Sequence, residues 1–226
     1  MIPLVQLDTA AVPGGGELRL MRRGDEFSIW TGATLLMSSR MSGSETALAQ
    51  IACDRLRERK NCRLLIGGYG MGFTLRAALA GLGAEARITV AELVPKVLEW
   101  ARGPMAALTA GCLSDPRVSI LEADVGAAIA GARAGFDAIP LDVDNGPGAL
   151  SNRPANDRLY GAKGLEAARK ALRPGGLLAI WSAAPDSAFA DRLRRAGFVV
   201  EEITSRANKG RGMRHVIWVG TPGARR

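Results

Sequence analysis

The chain has 226 residues, of which 47% are hydrophobic and 23% are charged, and its formal net charge is +8. This length and composition fit one soluble globular domain that can bury a single good core. No apolar run approaches the ~20 residues of a membrane span, and the acidic, non-basic start of the chain argues against a secretory signal.

The chain has three cysteines, which form no CxxC pair, and one histidine, His215. This inventory argues against a metal site of the Cys/His type, so we expect no metal. Thiols without a disulfide framework favour the cytoplasm, where they stay reduced.

The first part of the chain, residues 1–42, predicts a small β cap. Turn signals at Gly24-Asp25 and Thr31-Gly32 separate short strand-like runs. Three strands are predicted, over 17–22, 26–31 and 33–38. A segment this small is not expected to fold alone, so we expect it to pack on the catalytic domain, residues 43–226. That domain opens with a helix for which Ser42 and Ser44 are cap candidates.

A glycine loop follows the first strand of the second part. The apolar run 64–66 enters Gly67-Gly68-Tyr69-Gly70-Met71-Gly72, a helix-forming stretch follows over 73–82, and a second apolar run ends at Glu92. This layout is typical of a nucleoside-binding βαβ unit. The glycines let the backbone approach a ligand closely. The Glu92 carboxylate is placed to accept hydrogen bonds from both ribose hydroxyls.

Strand and helix signals alternate through the rest of the chain, which predicts an open and mostly parallel sheet with helices on both faces. Seven strands are predicted, over 63–66, 87–91, 118–121, 136–141, 176–181, 198–203 and 214–219. Ligands bind such sheets at the carboxyl ends of the strands. Polar or glycine residues follow strands at 68–70, 92, 124 and 142–146. Asp124 is either a ligand contact or an ordinary helix cap.

Several segments together resemble a known family. They are 65–68, 91–97, 122–124, Asp142 with 146–148, and 171–176. The chain resembles the class I S-adenosylmethionine-dependent fold, and within it the spermidine/spermine synthase family of polyamine aminopropyltransferases. The resemblance implies a Rossmann-like seven-stranded sheet of order 3-2-1-4-5-7-6 with an antiparallel last strand, a small N-terminal β cap and a homodimer.

The resemblance also implies roles for individual residues. Glu92 would bind ribose, Asp124 the adenine amino group and Asp142 the reacting end of the substrates. The donor-binding set expected from it and from the strand ends is Gly68, Tyr69, Gly70, Gly72, Glu92, Leu93, Asp124, Val125 and Asp142. The acceptor-binding set is Glu45, Asp144 and Asn145, joined by Arg206 and Arg211 from the loop described below.

The positions at which this sequence differs from the family bear on which of two donors it uses, S-adenosylmethionine or its decarboxylated form. The family carries an Asp in its glycine loop that meets the amine of decarboxylated S-adenosylmethionine, whereas the loop 67–72 has no acid. Loop amides at a helix start favour a carboxylate, which only intact S-adenosylmethionine has. The family's Tyr-His-Glu segment is replaced by residues 43–46. We therefore predict methyl transfer from S-adenosylmethionine to a small nucleophile, with aminopropyl transfer from the decarboxylated donor as the alternative.

The positive charge is concentrated near the end of the chain, where residues 192–226 hold nine Lys or Arg against two Glu. A loop over 203–213 is predicted to hang over the site, with Arg206, Lys209 and Arg211 as a cationic lid for an anionic acceptor, or else as a solvated hairpin. His215, next to this loop, is a candidate general base besides Asp142, or a structural residue.

Two further functions remain open on this sequence. An RNA-binding or RNA-modifying protein would use the basic region, and it ranks last because no RNA-binding module is recognisable. A binding protein without catalysis is disfavoured by the intact Asp142 loop. We therefore expect a small-molecule acceptor, with neither nucleic acid nor membrane as a partner.

Overall fold

The computed structural model of the protein describes residues 2–143, 145–147, 158–208 and 211–223. It contains a four-stranded antiparallel sheet at the N-terminus and a seven-stranded, mostly parallel sheet that carries the remaining elements. No helix in the described part of the chain has the length and apolar composition that a bilayer span requires.

The N-terminal sheet has the strand order β1-β2-β3-β4. Its strands are β1 (Val5–Ala11), β2 (Glu17–Arg23), β3 (Glu26–Thr31) and β4 (Thr34–Ser38). The sequence predicts three of these strands and misses β1. Most of β1 is exposed or half-buried, so its apolar alternation is weak and its pairing with β2 decides its conformation. Leu20 and Ile29 bury this sheet against the main core.

The large sheet has the order β7-β6-β5-β8-β9-β11-β10. Its strands are β5 (Arg63–Gly67), β6 (Arg87–Ala91), β7 (Val118–Leu121), β8 (Phe136–Leu141), β9 (Leu172–Ser182), β10 (Phe198–Asn208) and β11 (Arg211–Pro222). Strand β11 is antiparallel to both of its neighbours, while the other described pairs are parallel. The predicted Rossmann-like class and strand order are confirmed.

Helices cover both faces of the large sheet. They are α1 (Gly43–Arg55), α2 (Phe73–Gly81), α3 (Pro95–Arg102), α4 (Ala106–Thr109), α5 (Val125–Gly131), α6 (Ala162–Ala171) and α7 (Ser187–Arg195), with a short 3₁₀ helix at Cys112–Ser114. One core joins α1, α2 and α3 to the N-terminal sheet, for example through Leu48 and Trp100. A second core joins α5, α6 and α7 on the opposite face, for example through Ile129 and Phe189. The carboxyl ends of the parallel strands are thus left for a site.

A buried carboxylate ties several segments together near the start of β8. Asp137, whose side chain is 4% exposed, accepts hydrogen bonds from Arg59 at 2.7 Å and from Arg173 at 3.2 Å. It also accepts the backbone amide of Arg63 at 2.8 Å. The charge of Asp137 is therefore paired and its oxygens are satisfied, which is the condition for burying a carboxylate.

The predicted loop over 203–213 is wrong, because strand β10 runs on to Asn208 and β11 already begins at Arg211. Glycine and asparagine signals favoured a flexible loop, but cross-strand pairing continues past Ile203 through Arg206 to Asn208. The segment is therefore the outer half of a β-hairpin.

The hairpin presents different side chains on its two faces. Ser205 pairs with His215, and Arg206 pairs with Arg214. Paired residues share a face and successive residues alternate. Since Ile217 packs in the core on the α1 side, His215 faces α1, while Arg206 and Arg214 lie on the opposite face.

Candidate active site

A cavity of about 240 Å³ lies between the N-terminal sheet and the carboxyl ends of the parallel strands. The large sheet and its helices supply part of its wall: Glu45, Gly68, Gly70, Ala91, Glu92, Leu93, Val94, Val97, Ala123, Asp124, Val125, Asp142, Val143, Asn145 and Trp181. The N-terminal sheet supplies the rest: Val12, Gly15, Gly16, Leu18, Ile29, Thr31, Leu36 and Met37.

The charged side chains of this wall all have the same sign. Among the described residues, the ionisable groups that line the cavity are Glu45, Glu92, Asp124 and Asp142, and neither lysine nor arginine lines it. Acids in a partly enclosed site raise the local concentration of cations and repel anions. The cavity is therefore electrostatically suited to positively charged ligands.

The glycine loop touches the end of β8 through its backbone. Gly68 has a φ of +83°, and a side chain there would collide with the Asp142 carbonyl oxygen. The Asp142 amide donates to the Gly67 carbonyl at 2.9 Å, and the Gly68 amide donates to the Ala91 carbonyl at 2.9 Å. Gly68 thus brings the ends of three strands together, a close approach that only glycine allows.

Glu92 is buried at the end of β6 with both carboxylate oxygens held. Its Oε2 accepts the Tyr69 amide at 2.9 Å and its Oε1 accepts the Val94 amide at 2.8 Å. Burial raises the pKa of Glu92, and these backbone amides partly offset the rise. A carboxylate oxygen can accept more than one hydrogen bond, so Glu92 can hold the glycine loop and still meet a ligand hydroxyl.

Two of the predicted loop contacts shape the site without lining the cavity. The Tyr69 side chain is buried in the core, and its hydroxyl lies 3.5 Å from the Cys112 sulfur. Gly72 is the N-cap residue before α2, has a φ of +76° and packs against that hydroxyl. Only the backbone of Tyr69 serves the site, through its bond to Glu92. Leu93, next to Glu92, does line the cavity.

Asp124 lines the cavity and also caps a helix, so the two interpretations of this residue are compatible. Its Oδ1 accepts the Ala127 amide at 3.1 Å at the start of α5. The residue is exposed, whereas the neighbouring Val125 is buried and lines the cavity. One oxygen of Asp124 is thus oriented by the helix beside the apolar wall.

A hydroxyl that the sequence did not single out joins two of the acids. Thr74 in the first turn of α2 donates to Asp142 Oδ2 at 3.1 Å, and its Oγ1 also lies 3.4 Å from the Glu45 carbonyl oxygen. Thr74 is itself buried. A polar residue in the first turn after a glycine loop was the available signal for this contact.

Glu45 is linked to His215 through Ser44. The Ser44 hydroxyl donates to Glu45 Oε2 at 2.8 Å and lies 2.9 Å from His215 Nδ1. All three residues are buried. Burial raises the pKa of Glu45 and lowers that of His215. Glu45 lines the cavity whereas His215 does not. His215 is therefore connected to the site only through the residues that it contacts.

Trp181, at the end of β9, joins the imidazole to the cavity wall. Its ring packs edge-on against His215, with the ring centroids 4.7 Å apart. Trp181 itself lines the cavity. His215 is therefore connected to the cavity wall in two ways, to Glu45 through the Ser44 hydrogen bonds and to Trp181 through ring packing.

The other residues predicted to bind the acceptor differ in whether they line the cavity. Asn145 lines the cavity. Arg206 lies on the hairpin face away from α1 and is not part of the cavity wall. Arg211 begins β11. Asp144 and Lys209 lie outside the described residues, as does the side chain of Arg211.

The N-terminal sheet forms an apolar wall that the sequence did not assign to the site. Met37 packs on Gly70, where a side chain would collide with the Met37 methyl group. The hairpin tip between β1 and β2 contributes Gly15 and Gly16. The sequence predicted a cap but gave no register between cap and loop, which depends on tertiary packing alone. Glycine clusters such as 14–16 are the signal that could have marked it.

Comparison with known proteins places this site in context. No family model matches the chain. The polyamine aminopropyltransferase of Mycobacterium tuberculosis is 30% identical over 195 residues, which is 81% of this chain and 35% of that protein. Putrescine N-methyltransferase 3 of Nicotiana tabacum is 39% identical over 117 residues, which is 51% of this chain and 29% of that protein. The chain thus spans about a third of the length of these relatives.

Solved structures give the same fold. A spermidine synthase from Thermotoga maritima has a TM-score of 0.76 at 16% identity, covering 96% of this chain and 72% of that one. A spermidine synthase in complex with the transition-state analogue AdoDATO has a TM-score of 0.73 at 18% identity, covering 95% of this chain and 72% of that one. Together with the sequence relatives, these matches confirm the resemblance of this chain to the spermidine/spermine synthase family on the class I S-adenosylmethionine-dependent fold.

Proposed function

We propose that this chain transfers an aminopropyl group from decarboxylated S-adenosylmethionine to an amine of a small polyamine. The observation that carries the proposal is the cavity wall, where every ionisable side chain among the described residues is an acid. The named function of the Mycobacterium relative supports the same assignment. The sequence analysis held this reaction as the alternative. The acidic wall favours its amine acceptor, and the aminopropyltransferase relative favours its donor.

The charge of the wall bears on both substrates. A sulfonium donor and a protonated diamine are both cations, and the four acids would stabilise each of them. An anionic acceptor would enter this site without a lysine or arginine to meet it among the described lining residues. Because Arg206 faces away from α1, the basic hairpin gives the anionic acceptor little support.

We assign the parts of the donor to individual residues of the wall. Glu92 would accept hydrogen bonds from the ribose hydroxyls, with Asp124 at the adenine amino group and Val125 and Val97 against the adenine ring. Gly68 and Gly70 would pass along the donor's sulfonium end. The acceptor nitrogen then attacks the carbon next to sulfur, the carbon–sulfur electron pair goes to sulfur, and the nitrogen gives up a proton. Asp142, oriented by Thr74, is our candidate for that proton.

Methyl transfer from S-adenosylmethionine to the same class of amine is the second candidate. The specific observation in its favour is the glycine loop 67–72, which has no acid to meet the donor's amine. Loop amides near the start of α2 would suit the carboxylate of the intact donor. The putrescine N-methyltransferase relatives support this candidate, and they share a diamine acceptor with the first.

A steady-state assay tests the acceptor class. The purified chain is given decarboxylated S-adenosylmethionine with putrescine, with spermidine, or with 4-aminobutanoate, in which a carboxylate replaces one CH2–NH3+ end of putrescine. We expect transfer to the amines and at least ~10-fold lower kcat/KM for the carboxylate analogue, because it would face the acids of the wall. Equal or better turnover of 4-aminobutanoate would contradict a cation-binding site.

A further inference from the structure

The residues Glu45, Ser44 and His215 form a buried hydrogen-bonded chain that ends at the cavity. Ser44 Oγ lies 2.8 Å from Glu45 Oε2 and 2.9 Å from His215 Nδ1. The three residues are 9%, 1% and 8% exposed, respectively. These hydrogen bonds join the first turn of α1 to β11. Ser44 and His215 are 171 positions apart in the sequence, so their contact depends on the tertiary fold.

The number of hydrogens available decides which atom donates in each hydrogen bond between Glu45, Ser44 and His215. A serine hydroxyl has one hydrogen, and an ionised carboxylate only accepts. If Glu45 is ionised, the Ser44 hydrogen points to Glu45, and His215 must carry its own hydrogen on Nδ1 to bond to Ser44. A neutral imidazole in the Nδ1–H form satisfies all three groups at once.

Glu45 needs such support to remain charged in its surroundings. Burial opposes its ionised form, whereas its place in the first turn of α1 and the Ser44 bond favour it. Without a donor at Oε2, the balance at Glu45 would shift from the ionised form towards the neutral, protonated form.

We propose that His215 acts through Ser44 as a positioning residue, fixing the Ser44 hydroxyl on Glu45 so that an ionised carboxylate holds the ammonium end of the acceptor. The proposal rests on the proposed amine acceptor. It assigns His215 no contact with the substrates and no part in taking the proton. The two carboxylates then have different roles. Asp142 accepts the proton of the reacting nitrogen, and Glu45 binds the ammonium at the other end of the acceptor.

Because His215 is the only histidine of the chain, its imidazole can be observed directly. Nitrogen-15 NMR of the untagged protein at neutral pH, without substrates, should show a neutral imidazole with the hydrogen on Nδ1. In Ser44→Ala the preference for Nδ1–H should be lost. An Nε2–H imidazole in the wild-type protein would overturn the proposal, because the single Ser44 hydrogen would then point to His215 and leave Glu45 without its donor.

Kinetics with variants supply the second readout. His215→Asn keeps an N–H near the position of Nδ1, whereas His215→Leu removes it. We expect His215→Leu and Ser44→Ala to raise the amine KM ~10-fold or more with kcat changed much less, and His215→Asn to retain most of the affinity. Equal effects of Asn and Leu at 215, with both variants folded by circular dichroism, would overturn the proposal.

The pH dependence of amine binding follows from the same scheme. Acceptor binding weakens as the pH falls through the pKa of Glu45, because the carboxylate gains a proton. Removing the Ser44 donor raises that pKa, so in Ser44→Ala the weakening should begin at a higher pH. An unshifted KM profile would overturn the role of Ser44. If the wild-type protein transferred nothing to any amine, the proposed function would fail while the tautomer measurement still decided the hydrogen-bond chain.

Discussion

The Glu92 carboxylate holds the backbone amide of Tyr69 at 2.9 Å, which ties the end of β6 to the glycine loop. The second oxygen holds the Val94 amide at 2.8 Å. Glu92 therefore has two tasks, since it orders the loop and presents a carboxylate to the cavity. A residue expected only to bind ribose is also part of the loop's own structure.

Glu92→Ala should weaken donor binding about tenfold or more, because charge-assisted hydrogen bonds worth ~1.5–3 kcal/mol are lost. The same change should lower the free energy of unfolding by roughly 1–3 kcal/mol, since two amides lose their acceptor. Calorimetric titration with the donor and urea denaturation measure the two effects. Asp124→Ala is the matched control, which should weaken donor binding with a smaller loss of stability because its partner is an exposed helix end. Donor affinity unchanged in Glu92→Ala would remove the ribose role.

Asp142→Asn should reduce kcat about 10²-fold or more if Asp142 accepts or steers the proton of the attacking amine. Asparagine keeps the shape and can still accept the Thr74 hydroxyl, so donor affinity should change little. Single-turnover rates with saturating amine measure the chemical step. A Thr74→Val variant should show a smaller loss, since the carboxylate stays and only its orientation weakens. Near-normal turnover in Asp142→Asn would return this residue to a purely structural role.

Arg206→Gln should leave the amine KM and the donor affinity within about twofold, because Arg206 does not line the cavity and salt screens charges that lie away from a site. The reason is the hairpin register, which places Arg206 on the face away from α1. Arg214→Gln, its cross-strand partner, should behave in the same way. A large drop in amine KM on losing Arg206 would instead indicate a cation that repels the acceptor from over the site.

Asp137→Asn should lower the free energy of unfolding by about 3 kcal/mol, because it leaves the charges of Arg59 and Arg173 without their buried partner. Donor affinity should not change, since Asp137 lies near the start of β8 and the site lies at its end. The exposed ion pair of Asp54 with Arg57 provides the control, and Asp54→Asn should cost at most about 1 kcal/mol. Equal losses for the two variants would contradict a buried ionic anchor.

Local sequence signals predicted the residues that we assign to the donor half of the proposed site. The glycine loop and Glu92 were identifiable because they depend on positions close in sequence and on the rule that ligands meet the carboxyl ends of strands. The order of the seven strands came from family resemblance. The acceptor half was harder, because the Ser44–His215 contact and the packing of Met37 on Gly70 are tertiary, and no local pattern encodes which strand faces which helix.

The hairpin shows how a correct local signal led to a wrong structure. Asn208, Gly210 and Gly212 favour turns, and they led to a long basic loop in place of paired strands. The pairing of Arg206 with Arg214 outweighs those preferences, since cross-strand contacts decide strand length more than intrinsic propensity does. The register of that pairing then directs Arg206 and Arg214 away from α1, which changes the expected charge of the acceptor.

A competition between the two donors distinguishes aminopropyl transfer from methyl transfer. The purified chain is given putrescine together with equal concentrations of decarboxylated and intact S-adenosylmethionine, and the amine product is identified by mass spectrometry. We predict an amine that has gained one aminopropyl group, with methylthioadenosine as the second product. A methylated amine with S-adenosylhomocysteine would establish the second candidate, and an unmodified amine with either donor would contradict the amine-transferase account.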